Sequence, residues 1–192
     1  MNISVLNPEP TTIKLENLIP ELLAAKLRAI CSNEGTEADY HGCDNTLEYR
    51  IPNIYTGRLS KATLEVLPDL HTLSISLMPY INDAFKHTCL LQATTNAGYW
   101  LMEYGIGGCF SEHVDYSTGD DAMSTPAIAT LVVNLSPDDN YTGGQLYVAD
   151  KPVKIEYLDG MIWDGWTYHK TDPVKSGTRN ILVIHFTGFV KI

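Results

Sequence analysis

The sequence has few basic residues and distributes them unevenly. Its 192 residues include 13 Lys and Arg against 23 Asp and Glu, a formal charge of −10. No Lys or Arg occurs between His87 and Asp150. Because binding to nucleic acid depends on cations that neutralise phosphates, we expect no nucleic-acid partner, and an anionic membrane surface is disfavoured for the same reason. The acidic stretch is typical of a solvated face; the alternative is a cleft that favours a basic or neutral substrate.

Long apolar runs and metal-binding cysteine pairs are also absent. No stretch of about 18 apolar residues occurs, so the sequence predicts no membrane span, and its first residues lack the pattern of a signal peptide. The cysteines form no CxxC pair and show no zinc-ligand spacing; they are Cys31, Cys43, Cys89 and Cys109. We therefore expect free thiols in a reducing cytoplasm, with a Cys31–Cys43 disulfide as the alternative.

Length and composition are those of one globular domain. A chain of 192 residues is long enough to bury one hydrophobic core. With 44% hydrophobic and 19% charged residues, wholesale disorder is excluded. We therefore predict a single domain over residues 1–192, and the sequence makes no prediction of an oligomeric state.

Two predicted helices precede a region of short strands. Apolar residues at helical spacing predict a helix from Pro20 to Gly35. A second helix is predicted from about Asp69 to Lys86, with an interruption at Pro79. Residues 1–16 are interpreted as an extended lead-in and residues 33–60 as irregular. Residues 1–89 would thus form a helical support region.

From Leu90 onward, β-rich runs alternate with turn residues. The predicted strands are Leu90–Thr94, Tyr99–Tyr104, Ile128–Leu135, Gln145–Val148, Val153–Tyr157, Met161–Trp163 and Asn180–Phe189. Short strands with no helices between them indicate an antiparallel sandwich or barrel. We therefore predict an α+β, mainly β fold with its β core over residues 90–192.

Residue types that bind metals occur in a His-Val-Asp sequence. Residues i and i+2 of a strand point to the same face, so His113 and Asp115 can both reach one metal ion. A second imidazole would complete the two-histidine, one-carboxylate set of non-haem Fe(II) oxygenases. His169 is the natural third ligand, and His185 is the alternative.

A single arginine follows His169 by ten residues. Arg179 precedes the apolar run Asn180–Ile184, where an unpaired buried charge would be costly. A dicarboxylate co-substrate would supply its partner, because a guanidinium group binds carboxylates through two hydrogen bonds.

This order of residues resembles the Fe(II)/2-oxoglutarate-dependent dioxygenases, and within them the prolyl 4-hydroxylase-like branch, whose small viral and bacterial members are most similar in length. The resemblance covers about residues 90–190. It rests on Tyr104–Gly107 through His113–Asp115, Leu131–Leu135 leading to Gly143–Leu146, Asp159–Trp163, and His169 through Pro173 and Val174 to Arg179.

The resemblance implies a double-stranded β-helix, a jelly-roll or cupin-like core, supported by the N-terminal helices. It implies that His113, Asp115 and His169 bind Fe(II), with 2-oxoglutarate and O₂ as co-substrates and ascorbate as an optional cofactor. Arg179 would bind the distal carboxylate of 2-oxoglutarate, with the Tyr104 hydroxyl as a second contact. These four residues, His113, Asp115, His169 and Arg179, are the predicted catalytic set.

The implied activity is hydroxylation of a substrate C–H bond with release of succinate and CO₂. The expected substrate is a prolyl residue in a peptide or protein; a free amino acid or small metabolite is the alternative. From a different class, a non-enzymatic β-barrel binding module would also explain the fold. The loop Tyr116–Pro126 is long enough to act as a substrate lid.

Two positions depart from the family pattern. Gln145 stands where family members commonly carry Glu, so the role of its hairpin is open. Collagen-type prolyl hydroxylases usually place Lys where this chain has Arg179, and the chain therefore looks closer to the oxygen-sensing and bacterial subgroups.

Overall fold

The first half of the chain contributes two helices and four strands. A computed structural model describes residues 2–8, 11–37, 45–52, 59–86, 91–116 and 127–190. The helices are α1 (Glu21–Glu34) and α2 (Lys61–Ala84). The strands are β1 (Asn2–Pro8), β2 (Thr11–Glu16), β3 (Thr36–Glu37) and β4 (Thr46–Pro52).

Helix α1 confirms the first predicted helix together with its ends. Pro20 is its N-cap and Gly35 its C-cap, as expected from a residue with a fixed φ before the first turn and a small residue after the last. Leu23, Leu27 and Ile30 recur at helical spacing and are buried, so this face packs on the sheet.

Helix α2 begins earlier than predicted and is not interrupted. It starts at Lys61, where the Ser60 hydroxyl accepts a hydrogen bond from the Thr63 N–H at 3.1 Å, and it continues through both Pro68 and Pro79. A proline deprives the carbonyl four residues earlier of its partner. Those carbonyls belong to Leu64 and Ile75, whose side chains are exposed. Leu64 and Ile75 thus lie on the exposed face of α2, where water can replace the missing hydrogen bonds.

The second half of the chain is made of strands. They are β5 (Leu91–Tyr104), β6 (Phe110–His113), β7 (Ala129–Asn134), β8 (Tyr141–Gly143), β9 (Leu146–Val148), β10 (Lys151–Val153), β11 (Gly160–Asp164), β12 (His169–Thr171), β13 (Val174–Gly177) and β14 (Arg179–Val190).

All strand pairs of the described residues are antiparallel, and they form three sheets. The large sheet has the order β1-β2-β11-β7-β14-β5-β4-β3, the small sheet the order β10-β9-β12-β6, and β13 pairs with β8. The predicted α+β, mainly β fold class with antiparallel sheets is confirmed.

Several local predictions differ from the structure. Residues 1–16 are not a lead-in, because β2 pairs with β11, and the irregular region 33–60 contains β4, which pairs with β5. The two strands predicted between Leu90 and Tyr104 are one strand, β5. The strand predicted at Val153–Tyr157 is instead β10, which ends at Val153. The division into a support region and a core stays a prediction.

The two faces of the large sheet bury different sets of side chains. One face packs against α1 and α2, through residues that include Tyr99, Leu101 and Leu182. The other faces the small sheet, through residues that include Met102, Val132 and Trp163. Because side chains alternate along a strand, every second residue of β5, β7, β11 and β14 points between the sheets, where the candidate site lies.

The cysteines only partly match expectation. Cys31 is free and buried, so a Cys31–Cys43 disulfide is not formed; burial, with the charge of Glu103, raises the pKa of its thiol to about 12. Cys109 is disulfide-bonded, so the expectation of free thiols is wrong there. Disulfides persist mainly in oxidising compartments, and the cytoplasmic location stays a prediction. Neither helix of the described residues combines the length and hydrophobicity that a bilayer crossing requires.

Candidate metal and co-substrate site

His113 and His169 are brought together by the pairing of two short strands. His113 ends β6, His169 begins β12, and the two residues lie directly opposite each other in the antiparallel ladder. Their ring centroids are 4.2 Å apart. A separation of 56 residues in sequence thus becomes direct contact across one strand pair, as the metal-ligand hypothesis requires.

Each of these imidazoles is oriented by its own backbone. His113 Nδ1 lies 2.7 Å from the Ser111 carbonyl oxygen, and His169 Nδ1 lies 3.0 Å from the Thr167 carbonyl oxygen. A carbonyl oxygen only accepts, so both Nδ1 atoms carry a hydrogen, and in the neutral form of each ring Nε2 holds the lone pair. Burial lowers the pKa of His169 despite the opposing charge of Asp115. A neutral imidazole with a free Nε2 is the form that binds a metal.

Asp115 lies between the two histidines. Its Oδ1 is 3.4 Å from His113 Nε2 and its Oδ2 is 3.4 Å from His169 Nε2. Burial alone would raise the pKa of its carboxyl group. The interactions of the carboxylate with His113, His185 and His169 and the hydrogen bond from Thr130 outweigh that effect, and the net pKa is well below its ordinary value. Asp115 is therefore a carboxylate.

The three side chains fit one metal ion. One ligand atom from each of His113, Asp115 and His169 lies within 4.8 Å of the others. Metal–ligand bonds of about 2.1 Å at right angles place neighbouring ligand atoms about 3 Å apart, close to the 3.4 Å separations. Two imidazoles and a carboxylate on one side of an ion leave its other positions open. These are the three residues that the sequence analysis predicts as metal ligands.

His185 lies beside the set but is not part of it. Its Nδ1 is 3.1 Å from the Thr130 hydroxyl oxygen and 3.9 Å from Asp115 Oδ2. Thr130 donates to Asp115 Oδ2 at 2.5 Å. His185 is therefore a neighbour of the carboxylate rather than the rival ligand. The role of Thr130 was missed by the sequence reasoning; its only signal is a hydroxyl in the otherwise apolar run Ile128–Val133.

Arg179 is buried without an acidic partner. It is 3% exposed, none of the ion pairs among the described residues involves it, and its Nε and Nη1 have no hydrogen-bond partner there. Gly144 lies against the Arg179 side chain. It has φ +61°, and a Cβ added there would lie 3.1 Å from Arg179 Cδ, so the absence of a side chain leaves room for the arginine. An unpaired buried guanidinium is costly, so the site is built for an anion.

Tyr104 lies next to Arg179. The two residues are partners in the β5–β14 ladder, and the guanidinium carbon is 6.0 Å from the centre of the phenol ring. The hydroxyl donates to the Met102 sulfur at 3.4 Å, a weak acceptor. Burial raises the pKa of Tyr104 well above its ordinary value, against the lowering effect of Arg179. The phenol is therefore a neutral donor that a better acceptor could recruit.

One cavity joins the three candidate ligands to Arg179. It measures about 340 Å³, and the residues that line it include Tyr104, His113, Asp115, His169, Arg179 and His185. Its other walls are mainly apolar, from Trp100, Met102, Val132, Leu146, Trp163, Ile181 and Val183 among others. A volume at the lower end of the range for ligand pockets fits a small molecule.

The remaining sequence candidates lie around this cavity or outside the described residues. Trp163 packs with its ring 4.9 Å from that of His169, whereas Trp166 stacks on Tyr116 at 4.4 Å. Gln145 donates to the carbonyl oxygens of Leu146 and Val153, which ties its hairpin together. The predicted substrate lid, apart from Tyr116, falls outside the described residues.

Part of the chain matches a known protein family. Residues 99–187 match the family model of the 2OG-Fe(II) oxygenase superfamily. A PKHD-type hydroxylase of Delftia acidovorans (strain DSM 14801 / SPH-1) is 30% identical over 83 residues, 40% of this chain and 37% of that protein. The chain thus matches well under half the length of that curated relative.

Solved structures share the fold over nearly the whole chain. The viral collagen prolyl hydroxylase vCPH of Paramecium Bursaria Chlorella virus-1, in its 2OG complex, has a TM-score of 0.63 at 16% identity and covers 93% of this chain and 96% of its own. The Trichoplax adhaerens prolyl hydroxylase, in complex with a hypoxia inducible factor oxygen degradation domain peptide fragment, has a TM-score of 0.68 at 14% identity. The match covers 92% of this chain and 83% of that chain.

These matches confirm the predicted double-stranded β-helix and the family resemblance. Fe(II) and 2-oxoglutarate, with O₂, are the predicted cofactors, and they are those of the matching family. Residues 99–187, which include His113, Asp115, His169 and Arg179 around one cavity, thus match the 2OG-Fe(II) oxygenase superfamily, a family of enzymes.

Proposed function

We propose that this protein is an Fe(II)- and 2-oxoglutarate-dependent dioxygenase that hydroxylates a prolyl residue in a peptide or protein and releases succinate and CO₂. One observation carries the proposal: a His-Asp-His set and a buried arginine, which has no ion-pair partner among the described residues, open into the same cavity. A metal site alone would serve many functions. The added unpaired guanidinium calls for an anionic co-substrate beside the ion.

His113, Asp115 and His169 would hold the metal. When bound, Fe(II) supplies the redox chemistry that couples decarboxylation of 2-oxoglutarate to hydroxylation of a C–H bond. The protein prepares the ligands: the Ser111 and Thr167 carbonyls fix the two imidazole tautomers. The hydrogen bonds to Asp115 keep its carboxylate charged.

Arg179 would bind the distal carboxylate of 2-oxoglutarate, and Tyr104 would donate to the same carboxylate. Both residues lie side by side at one end of the cavity, on β14 and β5. The pairing of strands, rather than a mobile loop, fixes their separation, so the co-substrate would be oriented as it enters. Binding would also remove the cost of the unpaired guanidinium.

The cavity walls would exclude water from the reacting groups. Trp163 and Val132 are buried and line the cavity together with Met102. Apolar walls strengthen the charge interactions of Arg179 and Asp115 with their ligands and suppress side reactions with solvent.

The prolyl substrate is supported by the relatives alone. The matched solved structures are named as prolyl hydroxylases, one of them in complex with a peptide fragment. A fold carries many substrates, so the substrate needs its own measurement. Mass spectrometry of proline-containing peptides incubated with the protein, Fe(II) and 2-oxoglutarate should find the gain of one oxygen atom. Consumption of 2-oxoglutarate with a free amino acid but with no peptide would replace the substrate and leave the reaction class intact.

The reaction class is tested first under anaerobic conditions. Fe(II) and 2-oxoglutarate added to the purified protein should produce a visible metal-to-ligand charge-transfer band, because the 2-oxo acid chelates the ion. The His113→Ala variant should lack the band, since it has lost one ligand, and succinate in place of 2-oxoglutarate should give no band with either protein. A wild-type protein that binds Fe(II) but shows no band would contradict the proposal and favour a binding module.

A further inference from the structure

We propose that Thr130, supported by His185, is a positioning residue that holds the Asp115 carboxylate in the orientation needed to bind the metal. The inference rests on the metal site of the proposed function. It concerns residues outside the ligand set, on the opposite sheet, to which the sequence reasoning assigned no such role.

The register of two strands places Thr130 and His185 side by side. Thr130 lies on β7 and His185 on β14, and they are directly paired in the ladder. Both side chains point between the sheets, toward Asp115, which follows β6 of the small sheet. The 2.5 Å bond from Thr130 Oγ1 to Asp115 Oδ2 therefore joins the carboxylate to the large sheet.

The hydrogen-bond direction follows from counting hydrogens. A carboxylate oxygen only accepts, so Thr130 donates its single hydroxyl hydrogen to Asp115. The Thr130 oxygen can then only accept from His185 Nδ1, 3.1 Å away. The sequence of donors is thus His185 to Thr130 to Asp115, and each bond fixes the orientation of the next group.

His185 is itself held in place. Its ring makes an edge contact with Trp100, with centroids 4.6 Å apart at 86°, and its side chain is 14% exposed. Burial lowers its pKa. The imidazole is therefore a packed, fixed support for the Thr130 hydroxyl.

The hydrogen bond from Thr130 fixes how the carboxylate faces the two imidazoles. Oδ2 accepts from Thr130 and lies 3.4 Å from His169 Nε2, while Oδ1 lies 3.4 Å from His113 Nε2. Without the Thr130 hydroxyl, the carboxylate could rotate away from this orientation. Groups that hydrogen-bond to metal ligands commonly contribute 10- to 100-fold to metal affinity.

The test compares two substitutions at one position. Thr130→Val keeps the shape of the side chain but loses the hydroxyl, and Thr130→Ser keeps the hydroxyl. Calorimetric titration of the metal-free full chain with Co(II), with no co-substrate present, should give a Kd about 10- to 100-fold weaker for Thr130→Val than for the wild type. Thr130→Ser should bind close to the wild type. The visible spectrum of bound Co(II) should change only in the valine variant.

His185→Phe supplies a second variant, because it keeps an aromatic ring against Trp100 and removes the ring nitrogens, including the Nδ1 that faces Thr130. It should weaken Co(II) binding by less than Thr130→Val, since Thr130 still donates to Asp115. The proposal is overturned if Thr130→Val binds Co(II) as tightly as the wild type, or if Thr130→Ser weakens binding as much as the valine variant. A wild-type chain that binds no Co(II) would instead overturn the metal assignment itself.

Discussion

At the scale of single residues, substitution of Arg179 best distinguishes binding of the co-substrate from binding of the metal. Its guanidinium lies in the same cavity as the ligand set but is not part of it. A charged hydrogen bond contributes about 1.5 to 3 kcal/mol. Arg179→Ala should therefore weaken 2-oxoglutarate binding by about 10- to 150-fold in an anaerobic calorimetric titration of the metal-loaded protein.

The matched control is Arg179→Lys. It keeps the positive charge but loses the planar fork that binds a carboxylate through two bonds, so its loss should be smaller. Co(II) affinity should be the same in all three proteins, because Arg179 does not contact the ligand atoms. An unchanged affinity for 2-oxoglutarate in Arg179→Ala would refute its role as the anchor.

The candidate metal ligands could be predicted from the sequence, because their side chains are of types that bind metal ions. The spacing of His113, Asp115 and His169 matches a strand rule and a known ligand set, and the structure brings the three together. Thr130 could not be predicted in this way. Its contact with Asp115 depends on the register of β7 with β14 and on the approach of the small sheet, and neither leaves a local mark in the sequence.

At the scale of elements, the start of α2 depends on one hydroxyl that joins the two helices. Ser60 Oγ accepts from the Thr63 N–H at 3.1 Å and donates to Glu34 Oε1, at the end of α1, at 2.7 Å. Ser60→Ala removes both bonds and should lower the free energy of unfolding by about 1 to 2 kcal/mol. Chemical denaturation measures this loss. Ser60→Thr, which retains a hydroxyl cap, should lose less; an alanine variant as stable as the wild type would contradict the cap.

The shortness of β6 and β12 explains why the sequence did not predict them as strands. They carry two of the candidate ligands, yet they have four and three residues and include Ser111, Glu112 and Lys170. Such segments form strands only because their neighbours in the small sheet supply hydrogen-bonding partners. α1, by contrast, has 14 residues with a regular apolar face, and its ends could be predicted to the residue.

At the scale of the whole molecule, a bound metal should stabilise both sheets together. The ligands lie on or next to the small sheet, and Thr130 ties Asp115 to the large one. A ligand at 100 times its Kd adds about 2.7 kcal/mol to the free energy of unfolding. For a chain of this size, Co(II) should then raise Tm by about 5 to 11 °C.

Thermal scans with and without Co(II), and after addition of a chelator, measure this shift. His113→Ala is the control and should show little shift. An equal shift in wild type and variant would mean that Co(II) binds elsewhere on the chain.

The overall layout was predictable because two helical patterns precede a series of strand patterns, and the helix and sheet composition follows from that order. The sheet order was not. β2 and β4 lie in a region whose sequence gave no strand pattern, and their partners β11 and β5 lie far along the chain. Pairings between distant segments depend on the packing of the whole fold rather than on local propensity.

Strands β1 and β2 protect the edge of β11, because β2 pairs with β11. β11 carries Trp163, which packs on His169, and without β1 and β2 its backbone donors and acceptors would form an open sheet edge. Open edges recruit strands from other molecules. Loss of β1 and β2 would therefore affect the site by promoting self-association, although His113, Asp115 and His169 would still be present in the chain.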